Sequence, residues 1–158
     1  MKKHVVYSYK MIENMNIKQE IKDAIKYHHE REDGSGYPEG LKGDDIPYYA
    51  KIIAIADVYT ALTSNRPHRD KYTPFEALKI MEGEFMNRLD VTILTKFLRR
   101  IAENYIGNPV LLSNGTKAEI VFMSTSQISR PVVKYIEAEE IIDLSSKENK
   151  DIEIVEFL

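Results

Sequence analysis

The hydrophobic rhythm of the chain changes once. From His4 to about Tyr105 apolar residues recur every three or four positions, whereas after Gly107 they gather into short runs separated by polar turns. The first regime predicts helices over about 4–14, 17–30 and 47–62, with two more opening at Thr73 and Asp90. Asn16 is a favourable N-cap for the second helix, which carries Ile17, Ile21, Ile25 and His28 on one stripe. For the third, Asp44 or Asp45 supplies the cap, Ile46 the staple residue and Pro47 the first turn. Thr73-Pro74-Phe75-Glu76 reads as a capping box with proline at the first helical position, and Phe75, Leu78, Met81 and Phe85 form the face behind it. Asp90 caps the fifth helix, whose core stripe is Val91, Leu94, Phe97, Leu98 and Ile101.

Beyond Gly107 the pattern predicts strands. Pro109–Leu112 and Ala118–Phe122 flank Asn114-Gly115, the pair favoured in tight hairpin turns. Pro131–Ile136, Glu140–Leu144 and Asp151–Val155 supply three more short strands. The expected fold class is α+β, with a mainly α-helical bundle over 1–106 and a small antiparallel β-module over 107–158. The segment 33–45, rich in glycine and aspartate, is expected to be an irregular excursion between helices.

Two features do not fit a plain core. His28 and His29 stand side by side at a helix end, directly before Asp33-Gly34-Ser35-Gly36-Tyr37-Pro38. Neighbouring helical residues diverge by about 100°, so the two imidazoles can serve adjacent ions or one ion from neighbouring turns. They can equally complement the negative end of a helix dipole. Asp57 lies within an otherwise apolar helix, on a face with Ile53, Ala56, Thr60 and Ala61, and is expected to be at least half buried. Such a carboxylate needs a metal, an arginine or dense hydrogen bonding, and Arg66 and Arg69 follow closely enough to provide the arginine.

Taken together, His28-His29-Glu30, Asp33-Gly34-Ser35-Gly36-Tyr37-Pro38, Gly40-Leu41-Lys42-Gly43, Ile46-Pro47, Ile55–Tyr59 and Leu62–Arg69 resemble the HD-GYP family. The resemblance covers about residues 1–100 and implies an HD-domain-like helical bundle. It also implies a metal-dependent phosphohydrolase that opens the bacterial messenger cyclic di-GMP. By the same resemblance, His4, His28, His29 and Asp57 match metal ligands, and the metals expected are iron or manganese. Tyr37 matches the tyrosine of the family's substrate loop, and Arg66 and Arg69 match basic positions that hold phosphate or guanine. The chain contains no His-Asp dipeptide, and Thr60 stands where the family usually has aspartate. The implied metal site is therefore incomplete here, and catalysis by this chain alone is expected to be low.

Composition narrows the setting. The 158 residues suffice for one modest core or a core with a satellite module, and the net charge of −3 argues against a general binder of nucleic-acid polymers or membranes. With no cysteine, any metal must be held by histidine and carboxylate. No apolar run reaches the roughly 18–20 residues of a membrane span, so a cytoplasmic location is expected. Without the family's first helices, which carry its His-Asp pair, an apolar flank of the bundle would be left uncovered, and self-association as a homo-oligomer is expected. Two other readings stand beside the phosphodiesterase: a catalytically inactive nucleotide-binding or regulatory module, and a helical interaction domain that uses no metal.

Overall fold

The computed structural model describes residues 3–65, 70–124 and 127–158. They hold helices α1 (Lys3–Ile12), α2 (Gln19–Tyr27), α3 (Tyr48–Thr63), α4 (Pro74–Glu84) and α5 (Val91–Glu103). Strands β1 (Pro109–Leu112), β2 (Lys117–Phe122), β3 (Val132–Tyr135), β4 (Ile141–Asp143) and β5 (Ile154–Phe157) follow. The fold class is the expected α+β. The chain forms two compact units, one drawn from residues 1–61 and 84–95, the other from 62–83 and 96–158.

In the first unit α1 packs on α2 and buries Val5 and Ala24. α2 begins later than Asn16 implied: Lys18 occupies the N-cap without a side-chain cap, and residues before it are spent in turns. Ile17 and Ile21 are 38% and 49% exposed, so the stripe expected to enter the core lies open at its first turns. The reading of α3 also needs correction. Its inward residues are Ala50, Ala54, Ile55 and Val58, while Ile53, Ala56, Asp57 and Thr60 are exposed. This helix is apolar on nearly every face, so hydrophobic spacing alone does not select the buried one.

A second anchor in this unit is ionic. The Lys51 side chain, 10% exposed, lies 3.0 Å from Glu32 and 3.3 Å from Asp90. The Asp90 carboxylate also accepts the Ile93 N–H at 3.0 Å, confirming it as the cap of α5. Glu32 donates its own backbone N–H to the Arg88 carbonyl at 3.0 Å. Three stretches distant in sequence are thus joined through one lysine, and removing it would leave two carboxylates facing each other.

The second unit is built on the sheet, ordered β4-β3-β2-β1-β5 with every described pair antiparallel. β1 and β2 join through residues 113–116. Gly115 takes φ +82° there, and the Asn114 side chain accepts the Thr116 N–H at 3.0 Å. The last strand begins at Ile154, later than expected, because residues 150–151 are spent in a turn closed by the Ile152 N–H on the Asn149 carbonyl at 2.9 Å. In α4 the capping box forms in both directions: Thr73 N–H to Glu76 at 2.7 Å, and Glu76 N–H to the Thr73 hydroxyl at 3.3 Å. Phe75 of α4 meets Tyr105 and Phe157 in a ring cluster with centroids 4.9–5.8 Å apart.

Candidate metal centre

α2 ends where the candidate chemistry begins. His28 occupies the C-cap in right-handed helical backbone. Its Nδ1 lies 2.8 Å from the Ile25 carbonyl oxygen, which can only accept, so the ring donates through Nδ1 and leaves Nε2 for other partners. The Arg31 guanidinium donates to the carbonyls of His28 and Glu30 at 3.2 and 2.8 Å, satisfying acceptors that the helix end leaves open. The turn that follows needs both glycines. Gly34 takes φ +77°, and a Cβ on Gly36 would stand 2.4–2.6 Å from the backbone of residues 29–31.

This turn brings α1 and the glycine loop to the histidine pair. His4 Nε2 of α1 lies 3.0 Å from His29 Nε2. One ring nitrogen each from His4, His28 and His29 falls within 4.8 Å of the others, the one such group among the described residues. The 3.0 Å contact of His4 and His29 is a hydrogen bond between the rings, and a divalent ion would take the place of its proton on the same two nitrogens. The Tyr37 ring stacks on His29 with centroids 4.8 Å apart and planes 27° apart, and its N–H donates to the His29 carbonyl at 3.2 Å. Burial pushes the Tyr37 hydroxyl above its ordinary pKa.

Asp57 approaches from the opposite edge of His29, with its Oδ2 3.8 Å from Nδ1 and its side chain 47% exposed. It is therefore no desolvated charge awaiting rescue, as its position in an apolar helix implied. From that edge it can orient the imidazole or contribute an oxygen to a nearby cation. Thr60 is exposed on the same helix. Arg66 and Arg69 lie outside the described residues.

His29 is held neutral. Burial first, then the neighbouring His28, pushes its pKa down to about 4, against the opposing pull of Asp57. A neutral imidazole is the form that binds metal. A pH dependence follows for the metal-free chain. An unfolded histidine takes up its proton near pH 6.5, while folded His29 resists until about 4, so the unfolded state binds more protons in that window. Stability is expected to be fully present above pH 6.5 and to decline as the pH falls toward 4. Urea midpoints between pH 7.5 and 4.5, compared with those of His29→Gln, measure this. Identical slopes for the two proteins would refute it.

The residue pattern pointed to the histidine pair, Asp57 and the glycine turn, and the family resemblance added His4 and Tyr37. Neither pointed to Glu30 or Arg31 as the parts that fix the loop, although both lie inside the motif. Their partners are backbone atoms, which leave no mark in a side-chain pattern.

The helical unit and its histidine cluster define an HD-type domain, and the chain belongs to the HD domain family, whose model matches residues 1–93. The His28–Pro38 motif places it on the HD-GYP branch of that family. It is similar to a cyclic di-GMP phosphodiesterase of Pseudomonas aeruginosa, with 32% identity over 114 residues, 72% of this chain and 27% of that protein. A 3'3'-cGAMP-specific phosphodiesterase of Vibrio cholerae is 46% identical over 79 residues, 49% of this chain and 18% of that protein. A cyclic di-GMP phosphodiesterase of Borreliella burgdorferi is 25% identical over 135 residues, 85% of this chain and 36% of that protein. The chain thus spans only about a quarter of the length of the first of these relatives.

Proposed function

We propose that this chain belongs to the catalytic region of a metal-dependent phosphodiesterase acting on cyclic di-GMP or a related guanine cyclic dinucleotide. The observation that carries the reading is the meeting of His4, His28 and His29 beneath the Tyr37 ring. His4, His28 and His29 would hold a divalent ion, iron or manganese, through imidazole nitrogen, while Asp57, on the far edge of His29, would orient that ring or serve a second ion. Bound ions would supply polarisation of the phosphodiester and acidification of a water. Tyr37 gives an aromatic wall for a base or sugar, and the guanidinium groups of Arg66 and Arg69 are assigned to phosphate or guanine.

Four protein donors are few for a site holding more than one ion, so the chain alone is expected to bind metal weakly and turn over slowly. The same shortage, with threonine at position 60, favours a second reading in which the chain binds nucleotide without hydrolysing it. No described helix is long and apolar enough to cross a membrane, and we place the protein in the cytoplasm. Exposed Ile17, Ile21, Tyr49, Ile52 and Ile53 support self-association.

Anaerobic incubation with ferrous iron or manganese, and with cyclic di-GMP or 3'3'-cGAMP, tests the reading. A linear dinucleotide product at a low, metal-dependent rate is the expected result. Binding of both metal and nucleotide without product would support the second reading. Binding of neither would overturn both.

A further inference from the structure

Glu30 follows His29 directly, yet its side chain leads away from the histidine cluster into the protein, where the residue is 2% exposed. Its Oε1 accepts the backbone N–H groups of Glu39 and Gly40 at 2.7 and 3.1 Å, and its Oε2 accepts that of Leu41 at 3.0 Å. Among the described residues Glu30 makes no ion pair within 4.0 Å; three convergent amide dipoles face its charge instead. The loop it grips is also attached on its near side. There Tyr37 donates its N–H to the His29 carbonyl, and Gly36 packs against the backbone of residues 29–31. Tyr37 therefore lies between two anchors supplied by consecutive residues, His29 and Glu30.

Resting on the phosphodiesterase reading, we propose that Glu30 is the positioning residue that holds the Tyr37 ring over the histidine cluster and so sets nucleotide affinity. It acts through backbone amides and touches neither metal nor substrate. Only a carboxylate of this length suits the task. In Glu30→Gln the amide oxygen can still accept from Glu39 and Gly40, but the NH₂ then faces the Leu41 N–H, donor against donor. In Glu30→Asp the carboxylate is one methylene short of the loop.

The experiment has a part that needs no variant. In the unaltered chain the amides of Glu39, Gly40 and Leu41 should exchange slowly with solvent although they lie in a loop, and Tyr37 and His29 ring protons should show mutual NOEs. In Glu30→Gln, Leu41 protection and the ring contact should weaken together. Cyclic di-GMP affinity of the manganese-loaded protein should fall about tenfold, while manganese affinity changes by less than about twofold. A double-mutant cycle separates positioning from general structural support. On a Tyr37→Ala background, Glu30→Gln should weaken cyclic di-GMP binding by less than about twofold, because the ring it positions is already gone. Fast exchange at residues 39–41 in the unaltered chain, full additivity in the cycle, or loss of manganese together with nucleotide would each overturn the proposal. If the unaltered chain binds neither manganese nor cyclic di-GMP, the phosphodiesterase reading fails. The proposal then falls with it as a statement about affinity, while the exchange and NOE data still decide whether Glu30 holds the ring.

Discussion

His29→Ala is expected to lower manganese affinity by about a hundredfold or more and to leave the fold nearly unchanged. Loss of a group that merely orients a ligand already costs about 10–100-fold in metal affinity, and His29 is assigned as a ligand itself. It contributes the nitrogen that faces His4 at 3.0 Å, and it is the surface on which Tyr37 stacks. Its side chain is 16% exposed and neutral at pH 7, so truncation removes modest apolar contact and no charge. Calorimetric titration with manganese, alongside circular dichroism and a thermal midpoint, separates the two effects. Unaltered manganese affinity in a folded His29→Ala protein would sink the metal assignment, because His4 and His28 would then have to suffice. His4→Ala is expected to show a smaller loss, since His4 is exposed on the first helix.

Gly36→Ala is expected to cost about 3 kcal/mol, near the upper end for overpacking a tight site. The added methyl would meet Glu30 Cα at 2.4 Å, Arg31 N at 2.5 Å and His29 O at 2.6 Å. All three are backbone atoms next to the histidine pair, so no side chain can swing aside to make room. The loop must move instead, and Tyr37 must leave His29. A drop in thermal midpoint of about 6–12 °C is expected for a chain of this size, with cyclic dinucleotide binding lost in parallel. Gly83→Ala supplies the contrast. A methyl at that helical position meets nothing within 4 Å, so the substitution is expected to be neutral or slightly stabilising. Equal midpoints for the two variants would contradict the packing argument.

Local chemistry written in adjacent residues was legible in the sequence. Thr73 with Glu76, Asp90 before its helix, and Asn114-Gly115 in the first hairpin each act over a few positions and form as the pattern implied. The histidine cluster was legible for a different reason: the adjacent pair before a glycine turn stood out locally, and the resemblance to the HD-GYP family joined it to His4. What stayed hidden depends on partners far along the chain. α3 offers apolar residues in most directions, so spacing could not show that Ala50 and Ala54 turn inward while Asp57 stays wet. The lysine that joins Glu32 to Asp90 is one of many lysines until the fold assembles. Asn16 was a sound cap on local grounds, but the helix begins past it.

The sheet has a consequence for how the protein behaves in a crowded cell. An open sheet exposes backbone donors and acceptors along its outer strands, the usual template for runaway strand pairing between copies. Here one outer strand, β4, is three residues long and is preceded by Glu139 and Glu140 and closed by Asp143. The other, β5, is flanked by Glu153 and contains Glu156. Two copies meeting edge to edge would bring like charges together along very short ladders, so fibre-like growth is disfavoured at both ends of the sheet. Shortness and like charge thus guard both edges of the sheet.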